Sequence, residues 1–238
     1  MALLSGISRR RLMTSRYPTL VIDNFFDNPE RVRKFMNSCE FNLDQDMYPG
    51  ARTDSLEFID SELHEYIKIK ILSVFNEDWS KLNTAYSMNI QFEKITPYKD
   101  KNDIRNNGMI HADCPCEFGG VIYLDVDPDP NAGTATYTKT GEYAKMPDGM
   151  IEEWRKIYTK QDVDIEKFQK LYKQFMGYFE ETVTVKPRYN RLVMFDGTTF
   201  HRCINFGSKP RHTLAFFCGV APHANTLSHP PSPLHRVL

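Results

Sequence analysis

His111 and Asp113 stand two residues apart, His201 lies far along the chain, and Arg211 and Thr213 repeat the spacing of two just beyond it. Alternate residues of an extended segment leave the same face, so His111 and Asp113 can meet one ion, and Arg211 and Thr213 one ligand. Two imidazoles and a carboxylate are the donor set of a facial non-haem Fe(II) site, which leaves three coordination positions open. A guanidinium beside a hydroxyl receives a carboxylate well, because the planar fork donates two charge-assisted bonds and the hydroxyl adds a third. Such a receptor suits the distal end of a 2-oxo diacid. Taken singly, each pattern is common: His-x-Asp recurs on ordinary strands, and a strand arginine usually pairs with a surface acid. Their combination in one chain singles them out.

The elements around these residues favour a β scaffold. Thr19 to Phe26 reads as an opening strand, and Asp27-Asn28-Pro29 starts a helix on which Val32, Phe35, Met36 and Cys39 form one stripe. Ser61 is expected to cap a second helix reaching about Asn76. From Tyr86 to Lys94 the period changes to two, Met88, Ile90 and Phe92 alternating with Asn89, Gln91 and Glu93. Gly120 to Asp125 is a further strand, and the Asp-Pro-rich run 127–133 predicts a hairpin-like return through Thr134 to Thr138. Pro147 to Tyr158 and Asp162 to Glu181 read as helices, the second striped by Phe168, Leu171, Tyr172, Phe175 and Phe179. Strands resume at Thr182 to Lys186, Arg191 to Phe195 and His212 to Val220. Short strands with turn signals between them predict an antiparallel sandwich or barrel with helices outside it.

Composition narrows the function. A length of 238 residues fits a single domain, and 41% hydrophobic with 26% charged residues is a globular balance that can bury a core. A net charge of −1 gives no global drive toward nucleic acid or anionic lipid. Five cysteines, an odd number without scaffold spacing, favour a reducing and hence cytoplasmic compartment, where iron also stays ferrous. No apolar run approaches the ~18 residues of a membrane span. Residues 1–16 carry four arginines and no acid, and are read as a basic arm rather than a targeting segment.

His111-x-Asp113, His201 and Arg211-x-Thr213, in that order, resemble the signature of the Fe(II)/2-oxoglutarate-dependent oxygenases, in the prolyl 4-hydroxylase-like branch. Tyr123-Leu124-Asp125 with Gly133-Thr134, and the run from Pro187 to Phe195, resemble further elements of that branch. The resemblance spans roughly residues 85–220. It implies a mainly β fold with flanking helices, a double-stranded β-helix or jelly-roll barrel of the cupin-like kind. It also implies His111, Asp113 and His201 as Fe(II) ligands, Arg211 as partner of the distal carboxylate of 2-oxoglutarate, and Tyr123 and Thr213 as assisting hydroxyls. Dioxygen is then the oxidant, succinate and carbon dioxide are released, and the substrate is a prolyl or other amino-acid side chain of a peptide, protein or free amino acid. A carboxylate at 113 argues against halogenation. Two departures stand out: Asp125 where the branch has Asn, and a long helical insertion over 141–181.

The expected organisation is therefore a basic arm (1–16), one oxygenase domain (17–221) with helical support over 27–80 and the barrel over 85–220, and a Pro-rich tail (222–238). Alternatives are oxidative nucleobase demethylation, which the near-neutral charge disfavours, and a barrel that binds metal and ligand without turnover. Cys114 and Cys116, His223, His229 and His235, and the aromatic stripe of the insertion are read as bystanders or packing. Arg52 is expected in solvent, and Arg188, Arg191 and Arg202 as a solvated face or a receptor for an acidic substrate.

Overall fold

The structure, a computed structural model, describes residues 18–43, 48–75, 83, 85–113, 115–140 and 146–220. The basic arm, the Pro-rich tail with its three histidines, and Cys114 lie outside the described residues.

The first segments build a support. Strand β1 (Leu20–Ile22) is shorter than the expected run to Phe26, because the chain turns at Asn24, whose φ of 52° lies in the left-handed region. Helix α1 (Pro29–Ser38) starts as expected: Pro29 takes the first turn and the Asn28 side chain accepts from the Arg31 amide. A small hairpin follows, β2 (Asn42–Leu43) with β3 (Ala51–Arg52), and then the short α2 (Leu56–Ile59). Helix α3 (Ser61–Leu72) is capped by Asp60 rather than Ser61, its Oδ1 accepting from the Leu63 amide at 2.9 Å, and it ends four residues before Asn76.

The barrel strands are β4 (Tyr86–Ile95), β5 (Phe118–Tyr123), β6 (Thr134–Lys139), β7 (Phe179–Val185), β8 (Leu192–Asp196), β9 (Phe200–Cys203) and β10 (Arg211–Val220). One sheet runs β1-β8-β5-β10-β4-β3-β2 and the other β7-β6-β9, with every pairing antiparallel. The segment at His111 pairs with His201 as an isolated bridge and extends the smaller sheet beyond β9. From β4 onward the chain alternates between the two sheets, the His111 segment supplying the small-sheet step between β4 and β5 and only β6 and β7 following each other within one sheet, which is the double-stranded β-helix. This alternation corrects the hairpin reading of 127–133: β5 and β6 lie in different sheets, and the Asp-Pro-rich turn carries the chain across from one to the other.

Helices cover the outer faces. Val32 and Met36 of α1 and Leu63, Ile67 and Ile71 of α3 share one core with Ile90, Phe92, Ile122, Leu214 and Phe216 of the large sheet. Helices α4 (Met150–Tyr158) and α5 (Ile165–Met176) pack against the small sheet through Trp154, Phe168 and Phe175, which join Ala135 and Tyr137. The helical reading of 162–181 is corrected here. The helix stops at Met176, and Phe179 to Glu181 belong to β7, where β-branched Thr182, Val183 and Val185 sustain a strand paired along β6. Among the described residues, no helix is long and apolar enough to cross a membrane.

Candidate metal centre and its cavity

On the inner face of the barrel, the two histidines lie directly across from each other. The His111 amide donates to the His201 carbonyl at 3.0 Å and the His201 amide to the His111 carbonyl at 2.8 Å. Such a pair projects both side chains from one face of the sheet, and the ring centroids stand 4.4 Å apart. Asp113, two residues on, leaves the same face. Its Oδ1 lies 3.6 Å from His111 Nε2 and its Oδ2 3.4 Å from His201 Nε2. Among the described residues these three form the one group of metal-capable side chains, with ligand atoms within 4.8 Å of one another.

The donor chemistry fits a divalent metal. His111 Nδ1 donates to the Met109 carbonyl and His201 Nδ1 to the Thr199 carbonyl, each at 2.9 Å. A carbonyl oxygen only accepts, so each ring carries its proton on Nδ1 and presents the lone pair of Nε2. Metal bonds of about 2.1 Å place neighbouring donors about 3 Å apart, close to the two carboxylate–imidazole separations seen here. Burial, helped by the positive field of His111, pushes the His201 imidazolium well below its usual range and keeps the ring neutral. Burial also raises the Asp113 carboxyl, an effect that the nearby Glu93 charge reinforces and His111 opposes. An uncompensated carboxylate at this depth invites a cation. Phe195 backs the His201 ring at a centroid distance of 4.0 Å, while the His111 side chain is 46% exposed, so the centre opens to solvent on that side.

Gly119 on β5 makes room for the carboxylate. A Cβ there would stand 3.3 Å from Asp113 Oδ2 and 3.2 Å from the Phe216 carbonyl, tighter than ordinary contact on both sides.

A cavity of about 470 Å³ runs from this centre into the barrel, and its lining includes Arg211, Glu93, Thr134, Tyr158 and Phe206 together with His111, Asp113 and His201. Arg211 is buried, its Nε makes no hydrogen bond among the described residues, and its guanidinium lies over the Tyr123 ring at 5.4 Å. The structure thus brings Arg211 to the cavity with the three metal-capable residues. The hydroxyls of Tyr123 and Thr213 are engaged elsewhere: Tyr123 Oη shares a 2.7 Å bond with Thr134 Oγ1, and Thr213 Oγ1 donates to Glu93 Oε2 at 3.3 Å.

Several residues of the wall escape a reading of motifs. Arg52 is not in solvent: its Nε bonds Glu93 Oε1 at 3.1 Å and its guanidinium stacks 3.8 Å over the Tyr48 ring. Glu93 breaks the burial alternation of β4, being buried beside Phe92, because its face of the strand lines the cavity. A charged residue in the polar phase of a period-two pattern gives no hint of this. Tyr158 brings the insertion into the wall, which leaves the remainder of α4 and α5 as packing. Arg188 and Arg191 are bound to Asp23, at 2.9 and 2.5 Å, and Arg202 is buried against the hydroxyls of Tyr137 and Tyr172. Asp125, one of the two departures, accepts from the His212 amide at 2.7 Å and pairs with its ring at 2.8 Å.

Residues 5–206 match the family model described as a family of unknown function, DUF6445. No curated protein matches the chain. Among solved structures, the chain is similar to HygX from Streptomyces hygroscopicus with nickel and 2-oxoglutarate bound, at 13% identity over 84% of this chain and 82% of that one, with a TM-score of 0.48. It is similar to SnoN, a non-heme alpha-ketoglutarate-dependent epimerase from nogalamycin biosynthesis, at 11% identity over 92% of this chain and 91% of that one, with a TM-score of 0.49. It is also similar to a prolyl-4-hydroxylase from Pseudomonas putida, at 13% identity over 85% of this chain and 92% of that one, with a TM-score of 0.46.

Proposed function

We propose that this chain, which belongs to the DUF6445 family, is an Fe(II)- and 2-oxoglutarate-dependent oxygenase that hydroxylates a C–H bond. The substrate we assign is a prolyl or other amino-acid side chain of a peptide, protein or free amino acid. One observation carries the reading: a two-histidine, one-carboxylate set with its Nε2 lone pairs free shares a cavity with a buried guanidinium whose Nε has no partner among the described residues. A metal site alone would not need that arginine, and a carboxylate receptor alone would not need the imidazoles.

In this reading His111, Asp113 and His201 hold the iron, and Arg211 receives the distal carboxylate of 2-oxoglutarate. Bound iron, with 2-oxoglutarate and dioxygen, supplies oxidative decarboxylation to succinate and carbon dioxide coupled to hydroxylation of the substrate. The chain supplies orientation and dryness. The Met109 and Thr199 carbonyls fix both imidazoles in the ligating tautomer, and Phe195 stops the His201 ring from turning. Tyr123 lies beneath the Arg211 guanidinium and holds it toward the cavity, while Phe206, Ile95 and Met109 exclude water from the wall. Substrate enters from the exposed His111 side, which supports a side chain presented from outside over a ligand that must be engulfed.

The test is anaerobic addition of Fe(II) and 2-oxoglutarate to the purified protein. The weak visible charge-transfer band of a chelated 2-oxo acid should form, and air should then release succinate slowly, faster with a true substrate. A band with no succinate from any peptide or amino-acid mixture would leave only a binding barrel. Undiminished iron binding by His111→Ala would remove the ligand assignment.

A further inference from the structure

Five buried side-chain atoms make no hydrogen bond among the described residues, and two of them belong to residues that line the metal cavity: Arg211 Nε and Tyr48 Oη. The other three, on Asn83, Glu153 and Trp154, belong to residues that do not line it. A buried polar atom left without a partner is costly, and folded proteins tolerate it chiefly where a ligand or ion completes the bond. Both atoms are on donor groups, a phenol and a guanidinium, and together they ask for an anionic acceptor.

The wall around Tyr48 shows why its hydroxyl is the available one. Thr213 donates its hydroxyl to Glu93, and Tyr123 shares a bond with Thr134, whereas Tyr48 Oη has no partner among the described residues. The Glu93 carboxylate, bonded by Arg52 Nε through Oε1 and by Thr213 Oγ1 through Oε2, lies close enough to act on the Tyr48 phenol, yet no hydrogen bond joins the two. The stacked Arg52 guanidinium, itself fixed by Glu93, holds the Tyr48 ring against the barrel. Arg211 and Glu93 both lie near enough for their charges to act on the Tyr48 phenol. Burial first, and then the Glu93 charge, push that phenol well above its ordinary range, which keeps it a donor at any working pH.

Resting on the oxygenase reading above, we infer that Tyr48, from the segment between β2 and β3 ahead of the barrel, joins Arg211 in binding the distal carboxylate of 2-oxoglutarate. The phenol O–H donates to one carboxylate oxygen while the guanidinium fork takes the carboxylate from its other side. Arg52 and Glu93 are positioning residues, acting on the ligand through Tyr48. The hairpin is thereby made part of the co-substrate site, and binding ties it to β4 and β10.

Tyr48→Phe separates these roles because it removes one oxygen and keeps the ring under Arg52. The measurements are anaerobic titration of the Fe(II) protein with 2-oxoglutarate, Fe(II) titration alone, and the melting temperature without ligand. Loss of one hydroxyl donor to a charged acceptor should weaken 2-oxoglutarate about 10- to 100-fold and leave iron affinity within about two-fold. The melting temperature of the ligand-free variant should match or exceed that of wild type, since an unpaired buried hydroxyl is gone, and the rise in melting temperature on adding 2-oxoglutarate should shrink. Wild-type affinity in Tyr48→Phe would overturn the role of Tyr48 and leave the oxygenase reading standing. A fall in affinity accompanied by a lower ligand-free melting temperature would show that the hydroxyl serves the fold, and would also overturn it. Failure of the wild-type Fe(II) protein to bind 2-oxoglutarate at all would overturn both readings.

Discussion

Replacing Arg211 by alanine tests the division of labour in the cavity, because Arg211 lines it over the Tyr123 ring and is not one of the three metal-capable side chains. Arg211 is 7% exposed as a residue, so bonds from it to the proposed bound carboxylate form with little water to compete. Truncating one partner of such a buried, hydrogen-bonded charge pair costs about 3–4 kcal/mol, a weakening of 2-oxoglutarate by roughly 10²–10³-fold. The affinity of Fe(II) alone should change less than about three-fold, since the charge removed is neither donor nor bridge. Arg211→Lys keeps the charge and loses the planar fork, and should fall between, at about ten-fold. The assay is equilibrium titration under argon, following the 2-oxo acid charge-transfer band for the co-substrate and heat of binding for iron. Equal loss of both affinities in Arg211→Ala, or an unchanged co-substrate affinity, would refute the assignment of separate receptors for metal and diacid.

Two further predictions concern the frame. Asn190 sits in the left-handed region at φ 60°, with Oδ1 accepting from the Phe26 amide and Nδ2 donating to the Phe26 carbonyl, both at 2.9 Å. Asn190→Ala loses two buried bonds and strains the backbone, about 3 kcal/mol in urea unfolding, whereas Asn190→Gly relieves the strain and should lose less. Asp23 anchors the same corner: its hydrogen bond from Arg191, aided by the charges of Arg191 and Arg188 against burial, holds its carboxyl below the usual carboxylate range. A depressed folded value means that the stabilisation is present above the usual carboxylate pKa and is lost as acid protonates the group. Asp23→Asn should therefore lower the melting temperature at neutral pH and narrow its gap to wild type near pH 3. A gap that widens in acid would contradict the pairing.

What the sequence disclosed and what it hid divide along one physical line, the difference between local and cross-strand information. The period-two run of β4, the Asn28-Pro29 helix start and the His-x-Asp spacing are all local, and each was legible from a few residues. The end of α5 was not, because Phe179 continues the aromatic stripe of the helix while its backbone is claimed by β6, and only that pairing decides. The crossing from β5 to β6 is hidden for the same reason, since a turn cluster reports that the chain bends and says nothing of which sheet it reaches. Within the site, Arg211-x-Thr213 placed both side chains on one face, as a strand must, yet spacing is blind to what stands opposite. Glu93 pairs in register with Thr213 and takes its hydroxyl, so the second half of the motif is spent on the wall. Tyr48 carries no motif at all and reaches the cavity only because β3 joins β4 beside Glu93. The registers of β4 with β3 and β10 therefore place Tyr48 at the cavity and engage the Thr213 hydroxyl. Of Tyr48, Tyr123 and Thr213, the one hydroxyl without a partner among the described residues is that of Tyr48, whose sequence context gave no sign of it.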